Sequence, residues 1–87
     1  MKGAVYIYFG GVLSNGATML TRGSFEDLEK LGLTPQEGTR LKFYDLDADD
    51  ENRPIYLCAE GILHFDDETG TWSAFVEEAT FHTVPRG

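Results

Sequence analysis

Acidic side chains that could bind a cation are concentrated in one stretch of the chain. Asp45, Asp47 and Asp49 stand at alternate positions, like the first ligands of a calcium loop. An EF-hand loop beginning at Asp45 would need glycine and glutamate where this chain has Asp50 and Tyr56. The sequence therefore predicts no EF-hand and no built metal site. Weak, non-specific binding of divalent cations to the acidic loops stays open as an alternative.

The chain has one cysteine and two histidines, which could form a nucleophile–base pair only if folding brought them together. Cys58 and His64 share one face of a predicted strand, but six residues of extended strand separate them by about 20 Å. His82 could approach either one, although nothing in the sequence places it there. We expect Cys58 to be a small buried apolar side chain, and we predict no catalytic residue and no cofactor.

Paired carboxylates are the remaining candidates for acid–base chemistry, and Glu60, Glu77 and Glu78 could supply them. In the strand register described next, Glu60 and Glu77 share a face and stand close together. Solvated glutamates at a strand end are the simpler interpretation. Nearby basic side chains could neutralise them, namely Arg40, Lys42 and Arg53. We therefore predict that the protein is not an enzyme.

A β-hairpin between Pro54 and Glu78 is predicted to position most of these side chains. The segment 55–65 is rich in β-branched, aromatic and aliphatic residues, and an acidic turn ending in Gly70 separates it from a second run containing the only tryptophan. A four-residue turn collects the large residues on one face, whereas a three-residue turn would expose Trp72. We prefer the four-residue turn, which predicts three pairs: Phe65 with Trp72, Leu63 with Ala74, and Gly61 with Val76.

The second face of this hairpin is too apolar for an ordinary solvated surface. Its apolar and aromatic members are the candidate interface residues, namely Tyr56, Cys58, Ile62, His64 and Phe75. Another element of the same chain could cover this face, and a second subunit is the alternative.

Shorter elements complete the prediction. We predict strands over 4–9, 39–46 and 80–84. A hairpin at Asn15-Gly16 should pair Ser14 with Ala17 and Val12 with Met19. A helix is predicted over 24–33, with Ser24 as its N-cap. The glycines near the first strand fit no phosphate-binding motif. We expect one domain over residues 1–87 of class α+β, mostly β. Its sheet should be small, strongly curved and antiparallel, or a partly open SH3-like or OB-like barrel with one short helix.

Charge is distributed unevenly along the chain. Residues 1–44 carry five basic and four acidic side chains, whereas residues 45–87 carry two basic and eleven acidic ones. This balance argues against nucleic acid as a partner. The candidate acidic partner surface consists of Asp47, Asp49, Asp50, Glu51, Asp66, Asp67 and Glu68. A basic protein could bind it, although solubility alone would explain the charge.

The lone cysteine excludes an internal disulfide framework, and we find neither a signal peptide nor a membrane-spanning run. A cytoplasmic setting is expected. The favoured function is a small interaction module that forms a homo-oligomer through apolar strand faces. The alternatives are an acidic inhibitor that binds a basic protein, and a small-molecule binding protein. The last would use an aromatic pocket built from Tyr6, Tyr8, Tyr44, Tyr56 and Trp72.

Overall fold

The computed structural model describes residues 2–13 and 16–86. In chain order the elements are β1 (Val5–Tyr6), β2 (Thr18–Met19), α1 (Arg22–Lys30), β3 (Arg40–Ala48), β4 (Pro54–Asp66), β5 (Thr71–Val76), a 3₁₀ turn (Glu78–Thr80) and β6 (His82–Pro85). The sheet order is β1-β3-β4-β5-β2, with β6 also beside β4. The predicted α+β, mostly β class is confirmed. The sheet is open rather than a barrel, and it is mixed because β1 runs parallel to β3.

The hairpin of β4 and β5 has the predicted register. Phe65 pairs with Trp72, Leu63 with Ala74 and Gly61 with Val76. The Phe65 and Trp72 rings lie 5.0 Å apart, centroid to centroid. Gly70 closes the turn with φ of 68°, and its amide donates to the Asp66 carbonyl at 2.8 Å. The positive φ explains glycine at this position.

The long strand β4 carries neighbours on both edges, so its backbone groups are paired along its length. β3 pairs along one edge, while β5 and β6 share the other edge, β5 at residues 61–66 and β6 at residues 55–58. Between them, the Glu60 amide donates to Thr80 Oγ1 at 2.8 Å, and its carbonyl accepts from the Glu77 amide at 2.9 Å. The backbone amide and carbonyl of Glu60 therefore have hydrogen-bond partners, although Glu60 lies between the part of β4 that pairs with β5 and the part that pairs with β6.

The hydrophobic core lies on one side of the sheet, here called the inner face, and α1 contributes to it. Alternation along the strands directs Phe43, Leu63 and Ala74 to this side, and each is at most 1% exposed. Leu28 of α1 is 2% exposed and packs in the same cluster. The other members are Val5, Ile7 and Leu20. The opposite side of the sheet is here called the outer face.

Helix α1 also covers the free edge of β1. The Tyr6 amide donates to Asp27 Oδ2 at 2.9 Å, and the Tyr6 carbonyl accepts from Ser24 Oγ at 2.5 Å. A Cβ atom on Gly23 would lie 3.1 Å from the Tyr6 ring, so glycine allows this close approach. The strand edge therefore has no unpaired groups at Tyr6 to offer to another chain.

The predicted start of the helix was wrong by three residues. Thr21 is the N-cap, and its amide donates to Ser24 Oγ at 3.0 Å, so Ser24 occupies the third helical position. The physical reason is tertiary, because Ser24 is fully buried and also contacts Tyr6. The helix ends at Lys30, inside the predicted 24–33 segment. Gly32 follows in the left-handed conformation with φ of 70°, and the Leu33 amide donates to the Leu28 carbonyl at 2.9 Å.

The first hairpin differs from its predicted register by one residue. Val12 bridges Thr18 rather than Met19, and the Leu13 amide donates to the Ala17 carbonyl at 2.7 Å. Gly16, with φ of 85°, closes a longer turn by donating to the Leu13 carbonyl, which accounts for the shift. Ser14 and Asn15, and with them the predicted Ser14–Ala17 pair, lie outside the described residues.

The first and last strands are also shorter or shifted. β1 covers only Val5–Tyr6 of the predicted 4–9 segment, although the Ile7 amide still donates to the Tyr44 carbonyl at 2.9 Å. A 3₁₀ turn over Glu78–Thr80 delays β6 to His82–Pro85. Pairing with β4 begins only at His82, because the chain first crosses from the end of β5.

Candidate functional site

The outer face has an exposed apolar strip formed by Met19, Ile62 and Phe75. Ile62 and Phe75 are direct cross-strand partners, and Met19 is paired with Ser73, two residues before Phe75. These three side chains are 42%, 38% and 41% exposed, in the order Met19, Ile62 and Phe75. Neighbouring exposed apolar side chains on several strands form a patch of the kind used for contact with another molecule.

His64 lies at the edge of the apolar strip. Its ring centroid is 5.2 Å from that of Phe75, and its Nδ1 is 3.1 Å from Glu37 Oε1. The structure thus brings together three predicted interface residues, namely Ile62, His64 and Phe75. Sequence reasoning missed Met19, because the docking of β2 on β5 is a non-local pairing.

The other two predicted interface residues lie farther along β4 and are less accessible. Cys58 is only 4% exposed. Tyr56 packs edge-on against Tyr44 with centroids 5.7 Å apart, and the Arg86 guanidinium lies 5.9 Å from the Tyr56 ring centre. Elements of the same chain therefore cover this part of the outer face.

A charged cluster separates these two regions. Arg40 binds the Glu77 carboxylate through two nitrogens, and its Nε lies 3.3 Å from Glu60 Oε1. The hydrogen bonds from Arg40 hold the pKa of Glu77 below its usual range. The same contacts raise the pKa of Arg40. Two of the three candidate acid–base carboxylates, Glu60 and Glu77, are thus engaged by one guanidinium, and Glu78 begins the 3₁₀ turn.

Tyr44 links the outer face to the helix. Its hydroxyl donates to Asp27 Oδ2 at 2.9 Å, the same oxygen that accepts from the Tyr6 amide. Partial burial, with the hydrogen bond and charge of Asp27, raises the pKa of Tyr44 to about 12. This phenol stays protonated over the physiological pH range and acts as a hydrogen-bond donor.

Cys58 and His82 face each other across β4 and β6, an approach the sequence had left open. Burial raises the pKa of the Cys58 thiol, which disfavours the thiolate that a nucleophile requires. His82 Nδ1 lies 2.9 Å from the Thr80 carbonyl oxygen. Because a carbonyl oxygen can only accept a hydrogen bond, Nδ1 is the protonated ring nitrogen and donates to it. Both residues line a cavity of about 260 Å³.

The candidate acidic partner surface is divided between the two ends of β4. Four of its residues lie at the turn between β3 and β4, and three lie at the turn between β4 and β5. The first group is Asp47, Asp49, Asp50 and Glu51, and the second is Asp66, Asp67 and Glu68. Thirteen residues of strand separate them, which corresponds to roughly 40 Å. In the first turn the Arg53 and Glu51 amides donate to Asp49, and these bonds, with Arg53, lower the pKa of Asp49.

The predicted aromatic pocket is divided between the two sides of the sheet. Trp72 packs beside Phe65 and the core, whereas Tyr44 packs edge-on against Tyr6 and Tyr56, with the Tyr6 and Tyr44 centroids 5.8 Å apart. In the part of the chain that the structure describes, no cluster of three or more acidic, histidine or cysteine side chains could hold a metal ion.

Within residues 2–13 and 16–86, no helix has the length and apolar character needed to cross a bilayer.

The outer face offers an exposed apolar strip, a charged cluster and a cavity lined in part by two lysines. The chain matches no known protein-family model, and comparisons with curated proteins and with solved structures gave no significant match.

Proposed function

We propose that this protein is a small, non-enzymatic interaction module that forms a homo-oligomer through its outer face, with the apolar strip at the centre of the contact. The observation that carries the proposal is the exposed pair Ile62 and Phe75. Their sheet already has a packed core on its inner face, so the exposed pair does not serve that core.

The position of the strip favours contact between faces rather than between strand edges. The strip spans β2, β5 and β4, the last of which has neighbours on both sides. At the β1 end of the sheet, the outward backbone groups of Tyr6 are bonded to Ser24 and Asp27 of α1. A second copy that stacks its own strip on this one would bury apolar side chains without requiring any backbone group to lose its partner.

The surroundings of the strip resemble the usual anatomy of an interface. Charged side chains border it, with Arg40 and Glu77 on one side and the His64–Glu37 pair on another. Interfaces commonly have an apolar centre and a polar rim. A standard contact buries roughly 800 Å² per partner, which is about one seventh of the 5706 Å² accessible surface of this chain.

The test is sedimentation velocity on the wild type and on Ile62→Lys and Phe75→Lys across a range of concentrations. The wild type is expected to sediment as a species larger than 9.7 kDa, and each variant should shift toward the monomer. Leu31→Lys is the matched control, because Leu31 is 40% exposed at the C-terminus of α1. A wild-type monomer up to millimolar concentration would contradict the proposal.

We further infer a cytoplasmic setting. The supporting observation is the cysteine content, because the sequence has a single cysteine, Cys58, and it is buried in the sheet. A single thiol enclosed in a sheet needs no oxidising compartment to fold.

A further inference from the structure

The outer face has a concave region on the other side of the charged cluster from the apolar strip, the cavity of about 260 Å³ introduced above. It is here called the lysine cavity, and it is lined by Lys2, Ala4, Lys42, Cys58, Glu60 and His82, among others. Ala4 and Cys58 are 6% and 4% exposed, so they form its floor. The volume lies just below the range of roughly 300–1,000 Å³ typical of ligand pockets, which points to a small ligand.

The cationic groups of this cavity are available to a ligand. Lys2 and Lys42 are exposed, and neither makes an ion pair within the described residues, unlike Arg22, Arg40 and Arg53. Two ammonium groups beside one concave surface favour an anion, because each supplies a positive charge and three N–H donors.

The one carboxylate that lines the cavity is paired with a cation outside the cavity. Glu60 is the direct cross-strand partner of Lys42, yet its Oε1 is 3.3 Å from Arg40 Nε, and no ion pair with Lys42 forms. The Cys58 thiol adds no negative charge, because burial raises its pKa. Around the cavity, Lys2, Lys42 and Arg40 supply three positive charges against the two negative charges of Glu60 and Glu77, so the local balance is positive on a chain whose net charge is −8.

His82 supplies a further polar group in a fixed orientation. Its Nδ1 donates to the Thr80 carbonyl at 2.9 Å, so Nε2 of the neutral ring is an acceptor that can receive a hydroxyl of the ligand, such as a P–OH group. His82 is the cross-strand partner of Cys58 and lines the same cavity.

We propose that the lysine cavity is a binding site for a small anion with one or two carboxylate or phosphoryl groups, held by Lys2 and Lys42 above a floor of Ala4 and Cys58. This inference does not depend on self-association. The Arg40–Glu60–Glu77 cluster lies between the lysine cavity and the apolar strip, so the two regions can be tested separately.

Titration of the isotopically labelled protein with succinate and with inorganic phosphate, followed by amide NMR at constant ionic strength, tests the proposal. Saturable shifts at Lys42, Cys58 and His82 are expected at millimolar anion. Tighter binding of succinate assigns the carboxylate class, and tighter binding of phosphate assigns the phosphoryl class. The double variant Lys2→Gln/Lys42→Gln should weaken binding about tenfold, which fits two exposed charge contacts.

The double variant Arg22→Gln/Lys30→Gln is the charge-matched control, because it also removes two positive charges and both residues lie on α1. It should leave the affinity unchanged. Equal weakening by this control would show a general charge effect and overturn the proposal. The absence of saturable shifts with both anions would also overturn it.

Discussion

Tyr44 donates a 2.9 Å hydrogen bond to Asp27, and that same carboxylate oxygen accepts the Tyr6 amide at 2.9 Å. One helical side chain therefore joins α1 to β3 and to the edge strand β1. This contact fixes the helix against the end of the sheet. It also leaves the outer face between Met19 and Ile62 uncovered by α1.

Replacing Asp27 with alanine should destabilise the fold by about 2 kcal/mol, because the Tyr6 amide and the Tyr44 hydroxyl would both lose their acceptor. Tyr44→Phe removes one bond and should cost about 1 kcal/mol. Urea unfolding measures both changes. Glu29→Ala is the control on the same helix, since Glu29 is exposed. Equal stability of Asp27→Ala and Glu29→Ala would contradict this role.

Stability should fall at alkaline pH because of Tyr44. Burial and Asp27 raise the pKa of Tyr44 from 10.0 to about 12, so the folded state keeps a proton that the unfolded state loses. The contribution is present below pH 10 and declines as the pH rises toward about 12. Urea unfolding over this pH interval tests the expectation, with Tyr44→Phe as control. A decline of the same size in Tyr44→Phe would assign the effect to other groups.

The register of β4 and β5 was predictable from sequence because strand alternation and turn length decide it locally. A one-residue slip would have sent Trp72 to the outer face. The pairing of Ile62 with Phe75 followed from the same register. The parallel β1–β3 pair, the docking of β2 on β5 and the cavity shared by Lys2 and Lys42 each involve segments far apart in sequence, and no local pattern determines them.

The start of the helix was also decided by contacts between distant segments, which a local sequence pattern does not reveal. Ser24 looks like an N-cap because its hydroxyl can accept a backbone N–H. In the fold, Thr21 takes that place, and Ser24 instead bonds the Tyr6 carbonyl of a strand 18 residues earlier. Tertiary contacts therefore decided a boundary that local propensity alone placed wrongly.

Gly61 is expected to tolerate no larger side chain. A Cβ atom there would lie 2.7 Å from the Phe75 carbonyl oxygen and 3.1 Å from Val76 Cα, both backbone atoms of β5. Gly61→Ala would force the two strands apart and should destabilise the fold by about 2 kcal/mol. Thermal unfolding measures this change.

Gly11→Ala is the matched control for this glycine. Its nearest neighbour would be the exposed Tyr8 ring at 3.3 Å, which can move aside. A loss of stability at Gly11→Ala as large as that at Gly61→Ala would refute the steric explanation.

Arg40 should control the acidity of Glu77. The hydrogen bonds from Arg40 lower the pKa of the Glu77 carboxyl, so the ion pair stabilises the fold at neutral pH and loses this effect as the pH falls. Arg40→Met should raise the pKa of Glu77 toward its ordinary value, which carboxyl-carbon NMR titration measures directly. Arg22→Met removes the separate Arg22–Glu26 pair and should leave Glu77 unchanged. An unaltered Glu77 titration in Arg40→Met would rule out this pairing in solution, and with it the charged border between the apolar strip and the lysine cavity.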